Sequence, residues 1–175
     1  MAALVAGCGA AATGTPPASG STSAPSGAAP GLTAIPSVEA TTASLACPPA
    51  AIVDAALGVT VSSPISISGS GPGPTLPPGA RAISCEYAGA GLNVLIELFG
   101  DVPASTIGSF SDKFPVPFSA VSGLGDEARS FSQALGGGKD NEGVVAVKGS
   151  LLVDITATGT PATLAQLEAL VGALL

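Results

Sequence analysis

The sequence predicts an α+β fold: an antiparallel sheet of about five to six strands flanked by two or three helices, preceded by a disordered stalk. Three observations support this fold class. Residues 45–175 carry short apolar runs bounded by Gly and Pro, which is typical of antiparallel strands. Helical apolar spacing occurs near the start, the middle and the end of the same stretch. Of the 36 residues from 9 to 44, 32 are Ala, Gly, Pro, Ser or Thr, so no core can form there.

The first half of the domain is predicted to contain one helix and three strands. Residues 47–58 have prolines near the start and a glycine at the end, which are helix start and stop signals. Residues 59–67 are predicted to form a strand, and a Gly/Pro-rich loop follows. Residues 81–87 and 92–99 are separated only by Ala88-Gly89-Ala90-Gly91, which indicates a hairpin.

The second half is predicted to contain two helices and about three strands. Residues 103–114 have Phe and Ile at helical spacing, and residues 128–133 are predicted to form a strand. Residues 144–148 and 151–156 are predicted to form a hairpin that turns between them. Thr160-Pro161 is expected to cap a closing helix. Its apolar stripe consists of Leu164, Leu167, Leu170, Val171 and Leu174.

The segment before the domain predicts how the protein is anchored to the membrane. Val5-Ala6-Gly7-Cys8 resembles the bacterial lipobox, in which the cysteine thiol takes a diacylglyceryl group and the chain is cleaved before it. Residues 1–7 are interpreted as the truncated remainder of a signal peptide, because no positively charged segment and no full apolar core precede Cys8. Residues 8–44 are interpreted as the lipid attachment site and a disordered linker, with an r.m.s. span of roughly 30–35 Å.

Composition and charge exclude several classes of partner. The net charge is −7, and the five basic residues are scattered along the chain. Nucleic-acid binding and electrostatic docking on anionic lipid need clustered Lys and Arg, so neither is expected. The chain has no His and no C-x-x-C pair, so neither a metal site nor a cofactor is expected. No apolar run approaches the ~18 residues of a membrane span, so membrane attachment would come through Cys8.

Cys47 and Cys85 are the two cysteines that remain once Cys8 is assigned to lipid. An even pair in an exported domain predicts a disulfide, and two buried free thiols are the alternative. A bridge between positions 38 residues apart would stabilise the fold by roughly 4 kcal/mol. We expect it to hold the first helix to a strand.

Several short motifs together resemble a family of small mycobacterial and actinobacterial cell-envelope lipoproteins that carry a domain of unknown function. They are the lipobox, the low-complexity stalk, a cysteine opening a short helix that ends in Leu-Gly, the second cysteine in Ser84-Cys85-Glu86-Tyr87, and Gly123-Leu124-Gly125-Asp126-Glu127-Ala128 ahead of Val147-Lys148-Gly149. The resemblance covers essentially the whole chain. It implies a paired-cysteine domain in the cell envelope, anchored on the extracytoplasmic face of the membrane, and no established activity.

Catalytic groups are sparse. Without histidine, Ser-His-Asp and Cys-His catalysis are excluded. Ser111 and Lys113 do not form an S-x-x-K pattern, and adjacent acidic residues do not provide two carboxyls across a cleft. Asp126 is expected to cap a turn, and residues 136–143 are expected to form a flexible solvated loop instead of a phosphate or calcium loop. We therefore expect no catalytic residues and no enzyme, with a hydrolase as a remote alternative.

Two functions fit these observations. The first is a non-enzymatic, lipid-anchored envelope lipoprotein whose domain binds a protein or a wall component. The second is a carrier of hydrophobic ligands such as lipids, in an apolar cavity between sheet and helices. The aromatic residues considered for this cavity more often simply form the core, and the oligomeric state is left open. The candidate cavity residues are Phe110, Phe114, Phe118 and Phe131.

Overall fold

The fold is that of a computed structural model, which describes residues 45–67, 76–112, 115–159 and 162–175. The predictions for the signal peptide, lipidated Cys8 and the disordered linker fall on residues 1–44 and lie outside these ranges. Lys113, Phe114 and Thr160-Pro161 also lie outside them.

Within the described ranges the element order is helix, three strands, helix, four strands, helix. The predicted α+β fold is therefore confirmed, with seven strands where five or six were expected. The elements are α1 (Ala50–Leu57), β1 (Ile65–Ile67), β2 (Arg81–Gly89), β3 (Leu92–Gly100), α2 (Thr106–Ser111), β4 (Ser119–Val121), β5 (Glu127–Gly136), β6 (Lys139–Lys148), β7 (Leu151–Gly159) and α3 (Leu164–Leu174).

The seven strands form one antiparallel sheet, in the order β1-β2-β3-β7-β6-β5-β4. Four of the connections are hairpins between neighbours: β2 to β3, β4 to β5, β5 to β6 and β6 to β7. The pairing of β3 with β7 joins the two halves of the chain at the centre of the sheet. The edge strands β1 and β4 have only three residues each, which limits the backbone available for unwanted pairing.

The larger core lies on the face of the sheet that α1 and α3 cover. Alternate residues of the strands point to this face and pack against the apolar stripes of the two helices. Gln166 on α3 donates a 2.6 Å hydrogen bond from Nε2 to the carbonyl of Leu57, so the last turn of α1 is tied to α3. The fully buried side chains at this interface include Val53, Val94, Ile96, Val153, Ile155, Leu167 and Leu170.

A smaller core lies at one end of the opposite face, under α2. Ile107 and Phe110 of α2 pack on the sheet residues Phe99, Val147 and Leu152. Beyond this end, the same face carries mainly polar side chains that are half-buried or exposed. The sheet is therefore covered by helices on one face and only partly on the other.

The first strand is shorter than predicted, because the segment 59–64 has other hydrogen-bond partners. Val61 donates its backbone N–H to the Asp54 side chain, and Ser62 pairs with Ala88 through one backbone and one side-chain hydrogen bond. Pro64 follows and cannot donate to a ladder. Regular pairing begins only at Ile65.

The prediction of a flexible loop over residues 136–143 is wrong. β5 and β6 continue into this stretch and turn at Gly137 and Gly138, with φ of 64° and 73°. A two-residue hairpin turn of this hand needs positive φ at both positions, which glycine adopts without a steric penalty. The glycine run therefore terminates a hairpin, where sequence analysis expected an unpaired loop.

The other boundaries differ by a few residues. The β2–β3 turn is made by Ala90 and Gly91 alone, so both strands extend further than predicted. The middle helix has six residues instead of twelve. The closing helix begins after Thr163, whose side chain accepts from the backbone N–H of Gln166 while Gln166 accepts from the Thr163 N–H. This capping box is the start signal of α3, and the predicted cap at Thr160-Pro161 lies outside the described residues.

Candidate binding surface on the sheet

Two carboxylates face each other across neighbouring central strands. Glu97 on β3 and Asp154 on β7 are directly opposed in the antiparallel register. Side chains of opposed residues point to one face of a sheet, with Cβ atoms about 4.5–5.5 Å apart. This is the face that α2 covers at one end. Val145, opposite Asp154 on β6, belongs to the core under α2, so the pair lies at the border of that core.

Asp154 is buried, with 4% of its surface exposed, although its neighbour Glu97 is only half-buried. No described group donates a hydrogen bond to the Asp154 carboxyl. Burial, with a smaller contribution from the facing charge of Glu97, raises the pKa of Asp154 to about 8. At neutral pH this carboxyl is therefore mostly protonated.

The nearest described polar groups do not neutralise the pair. The Ser84 hydroxyl donates a 2.8 Å hydrogen bond to Oε1 of Glu97, which orients that carboxylate without adding charge. Arg129 lies in the same row of the sheet, two strands beyond Asp154. Its Nε and Nη2 both donate to Oε1 of Glu127, at 3.0 and 2.8 Å. The charge of the pair thus has no basic partner among the described side chains of β2, β3, β6 and β7 on this face.

Polar side chains continue from the pair along the same face. Asn93 donates to Oε1 of Glu86 at 2.9 Å, and Thr158 donates to Oδ1 of Asn141 at 3.1 Å. These side chains are half-buried or exposed and are held by one another. We refer to this surface as the open face, and define it by Ser84, Glu86, Asn93, Leu95, Glu97, Asn141, Asp154, Thr156 and Thr158.

Apolar side chains border the open face on its β1 side. Ile67 is opposite Ser84 and Ile65 is opposite Glu86, and the two isoleucines are 42% and 64% exposed. Leu95, between Glu86 and Thr156 in the ladder, is half-buried. The surface therefore combines an acidic centre with exposed aliphatic groups at its margin.

The structure contains the disulfide that the cysteine count predicts. Cys47 and Cys85 are bonded, with Cα atoms 5.6 Å apart, and Cys85 is fully buried in β2. Next to the bridge, the buried Tyr87 hydroxyl donates to the carbonyl of Pro48, and burial raises the pKa of this phenol. The residues that lead into α1 are thus fixed to the sheet by one covalent and one polar contact.

Three of the four candidate cavity residues are described, and they are divided between two aromatic contacts. Phe110 packs edge to face on Phe99, with ring centroids 5.6 Å apart, and Phe118 packs in the same manner on Phe131 at 5.2 Å. A Cβ at Gly143 would overlap the Phe131 ring, so this glycine leaves the space that the ring occupies. The structure places these described rings in contact with other rings or with the sheet, and a ligand cavity among them stays a prediction.

The side chains considered for catalysis have structural contacts. The Ser111 hydroxyl is buried and donates to the carbonyl of Ile107 in its own helix. Asp126 accepts a 2.7 Å hydrogen bond from the N–H of Gly149, so it caps the turn between β6 and β7 as the sequence predicts. In the described ranges, no group of three or more Cys, Asp and Glu side chains is placed to hold a metal ion.

Sequence analysis does not identify Glu97 and Asp154 as a pair. The alternation in both predicted strands places each residue on the less apolar side of its strand. Nothing in the sequence gives the register between strands 53 residues or more apart, and that register is what brings the two carboxylates together.

Comparisons with known proteins give one similar solved structure. It is the crystal structure of the extracellular domain of PknH from Mycobacterium tuberculosis, with 14% sequence identity and a TM-score of 0.46 over 70% of this chain and 88% of that chain. No protein-family model and no curated protein matches the sequence. None of the helices in the described ranges is both long and apolar enough to cross a membrane.

Proposed function

We propose that this protein is a non-enzymatic, lipid-anchored envelope protein that presents an extracytoplasmic binding domain. The observation that carries the proposal is the open face, a partly exposed polar surface on a sheet whose other face is closed by helices. Antiparallel sheets commonly have one packed face and one solvated face, and a solvated face held by cross-strand hydrogen bonds is a preformed surface for a partner.

The disulfide supports the location. Bridges of this kind form and persist in oxidising compartments, and they are rare in the cytosol. Cys47–Cys85 closes a loop of 38 positions and lies in the core next to Tyr87, so its role is structural. An extracytoplasmic domain fits this bridge, and the lipobox-like Val5-Ala6-Gly7-Cys8 supplies the means of attachment.

The contacts of the polar side chains support a binding role over a catalytic one. Ser111 donates to a helix carbonyl and Asp126 caps a turn, so both are engaged in maintaining the fold. The chain has no histidine to serve as a general base. The Glu97–Asp154 pair has a facing serine but no described basic group, so it lacks the partner that activates a serine nucleophile.

Mass spectrometry tests whether Cys8 is lipidated. The gene is expressed in an actinobacterial host with its upstream coding region restored, and the protein is purified from the cell envelope. We expect a diacylglyceryl-modified Cys8 at the mature N-terminus. We also expect that protease added to intact cells cleaves the domain. The matched control is Cys8→Ser, which should remain unacylated and leave the membrane fraction. An unmodified Cys8 in the wild type, or protection from protease in intact cells, would contradict the proposal.

A carrier of hydrophobic ligands is the second candidate. The observation that favours it is the pair of aromatic contacts on the face opposite α1 and α3, where Phe110 of the six-residue α2 packs over Phe99. Native mass spectrometry of the same preparation distinguishes the two candidates. A reproducible non-covalent lipid adduct that is lost in Phe118→Ala would favour the carrier, whereas protein without adducts would favour a domain that binds a partner on its surface.

A further inference from the structure

Within the Glu97–Asp154 pair, Asp154 combines burial with the lack of a hydrogen-bond donor among the described residues. Glu97 is oriented by Ser84, and Asp154 is 4% exposed with no hydrogen bond from a described group. A buried carboxyl without a partner is costly unless a ligand or a proton neutralises it. Glu97 is half-buried and Asp154 lies directly beside it, so a ligand that reaches Glu97 from the open face would lie next to the Asp154 carboxyl.

We propose that Glu97 and Asp154 bind the cationic side chain of an arginine or lysine in a protein partner that lies across the open face. This inference rests on the proposed binding function and names the chemistry of the partner. A guanidinium can donate to two carboxylate oxygens at once in a fixed planar geometry, which suits a pair held on adjacent strands.

The surroundings of the pair favour a basic side chain over a metal ion as its ligand. Calcium takes six to eight oxygen ligands, and the described residues offer only two carboxylates and one hydroxyl here. Leu95 and Ile67 lie beside the pair in the ladder. The methylene groups of a long basic side chain, or an apolar neighbour in the same segment, can cover these aliphatic groups.

The charge distribution agrees with a basic partner. The protein has a net charge of −7, and the open face carries three acidic side chains, Glu86, Glu97 and Asp154. Arg129 is the described cation nearest in the row, and its Nε and Nη2 both donate to Glu127. A cationic segment would therefore be attracted to this face and would find no competing positive charge in the described part of it.

Binding of a cation should also displace a proton. Asp154 has a pKa of about 8 in the free protein, raised by burial and then by Glu97, while the described residues around it on β2, β6 and α2 contribute no basic group. A cation beside the carboxyl stabilises its charged form, so the proton leaves for solvent as the ligand binds. Affinity should therefore increase as the pH rises toward and past about 8.

The test is an NMR titration of the ¹⁵N-labelled full chain with the peptide acetyl-Leu-Arg-Leu-amide. We expect saturable shifts of the amides of β2, β3 and β7 around Glu97 and Asp154, with weaker binding below pH 7. Glu97→Gln and Asp154→Asn should each reduce affinity by about tenfold or more. Asp140→Asn, on the opposite face at the β5–β6 hairpin, is the matched control and should bind as the wild type does.

The neutral isostere acetyl-Leu-citrulline-Leu-amide separates charge from shape. Equal binding of this peptide, or unchanged affinity in Glu97→Gln, would overturn the proposal. The same shifts produced by calcium alone at lower concentration would overturn it in favour of a metal ion. If neither peptide binds while a partner still crosslinks to Leu95 in the envelope, the proposal that the pair binds a cationic side chain is wrong. The proposed binding function then stands.

Discussion

Asp154 makes the stability of the domain depend on pH in a direction opposite to that of most acidic residues. Its pKa is about 3.8 when exposed and is raised to about 8 by burial and by Glu97. Folding therefore takes up a proton between these values, and stability is highest below about pH 4 and falls as the pH rises toward 8. The other acidic side chains of the described residues are half-buried or exposed.

We predict that Asp154→Asn stabilises the domain at pH 7–8, because it removes a buried carboxyl that tends to ionise and leaves a side chain of the same shape. By linkage the gain is on the order of a few kcal/mol. Urea unfolding measured from pH 4 to pH 8 should show falling stability in the wild type and a nearly flat profile in the variant. A wild-type profile that rises with pH over this range would mean that Asp154 is ionised in the fold.

Gly143 is predicted to tolerate no larger side chain. An added Cβ would overlap the ring of Phe131, which is buried across the β5–β6 pair. Gly143→Ala should lower the free energy of unfolding by about 1–3 kcal/mol, as overpacking of a core does. The matched control is Gly172→Ala on α3, where the new Cβ meets Leu124 at an ordinary 3.4 Å and better helix propensity should add about 1 kcal/mol.

At the scale of elements, the capping box of Thr163 and Gln166 determines where α3 begins. Thr163→Ala removes the hydroxyl that accepts from the Gln166 N–H, and should cost about 1 kcal/mol of stability. Thr163→Ser keeps the hydroxyl and should cost little. Thermal unfolding by circular dichroism measures both, and equal losses in the two variants would show that the cap contributes nothing.

The elements that sequence patterns predict well are those with a local cause. The α1 end at Gly58 and the hairpin turn at Gly149 both follow from glycine at positive φ. The extended β5–β6 hairpin has a local cause, the turn at Gly137 and Gly138, which was interpreted as part of an unpaired loop. The shortened β1 was missed because its causes are contacts with other segments, such as Val61 to Asp54. Local propensity contains no information about such partners.

At the scale of the whole molecule, the cysteine count predicts the disulfide correctly, whereas the open face depends on how the strands pair. The Cys47–Cys85 bridge is the pair predicted from the two cysteines that remain after Cys8, on the expectation of an exported domain. The open face does not follow from any one segment, because β3 and β7 become neighbours only in the complete sheet. A binding surface assembled in this way is read from the fold and not from a motif.

The disulfide should account for a large part of the stability of the domain. Reduction, or the double change Cys47→Ala and Cys85→Ala, frees a loop of 38 positions and should cost roughly 4 kcal/mol. Differential scanning calorimetry with and without reductant measures the loss as a lower Tm. Identical Tm values would show that the bridge does not constrain the unfolded chain.

The most direct test of the central claim, that the open face binds a partner outside the cytoplasm, is photo-crosslinking in intact actinobacterial cells. A photoreactive amino acid is placed at Leu95 on the open face and, for comparison, at Asp140 on the other face. We predict one discrete adduct from Leu95, diminished by Glu97→Gln and absent from Asp140. The same adduct from both positions, or none from Leu95 in a correctly anchored protein, would contradict the account.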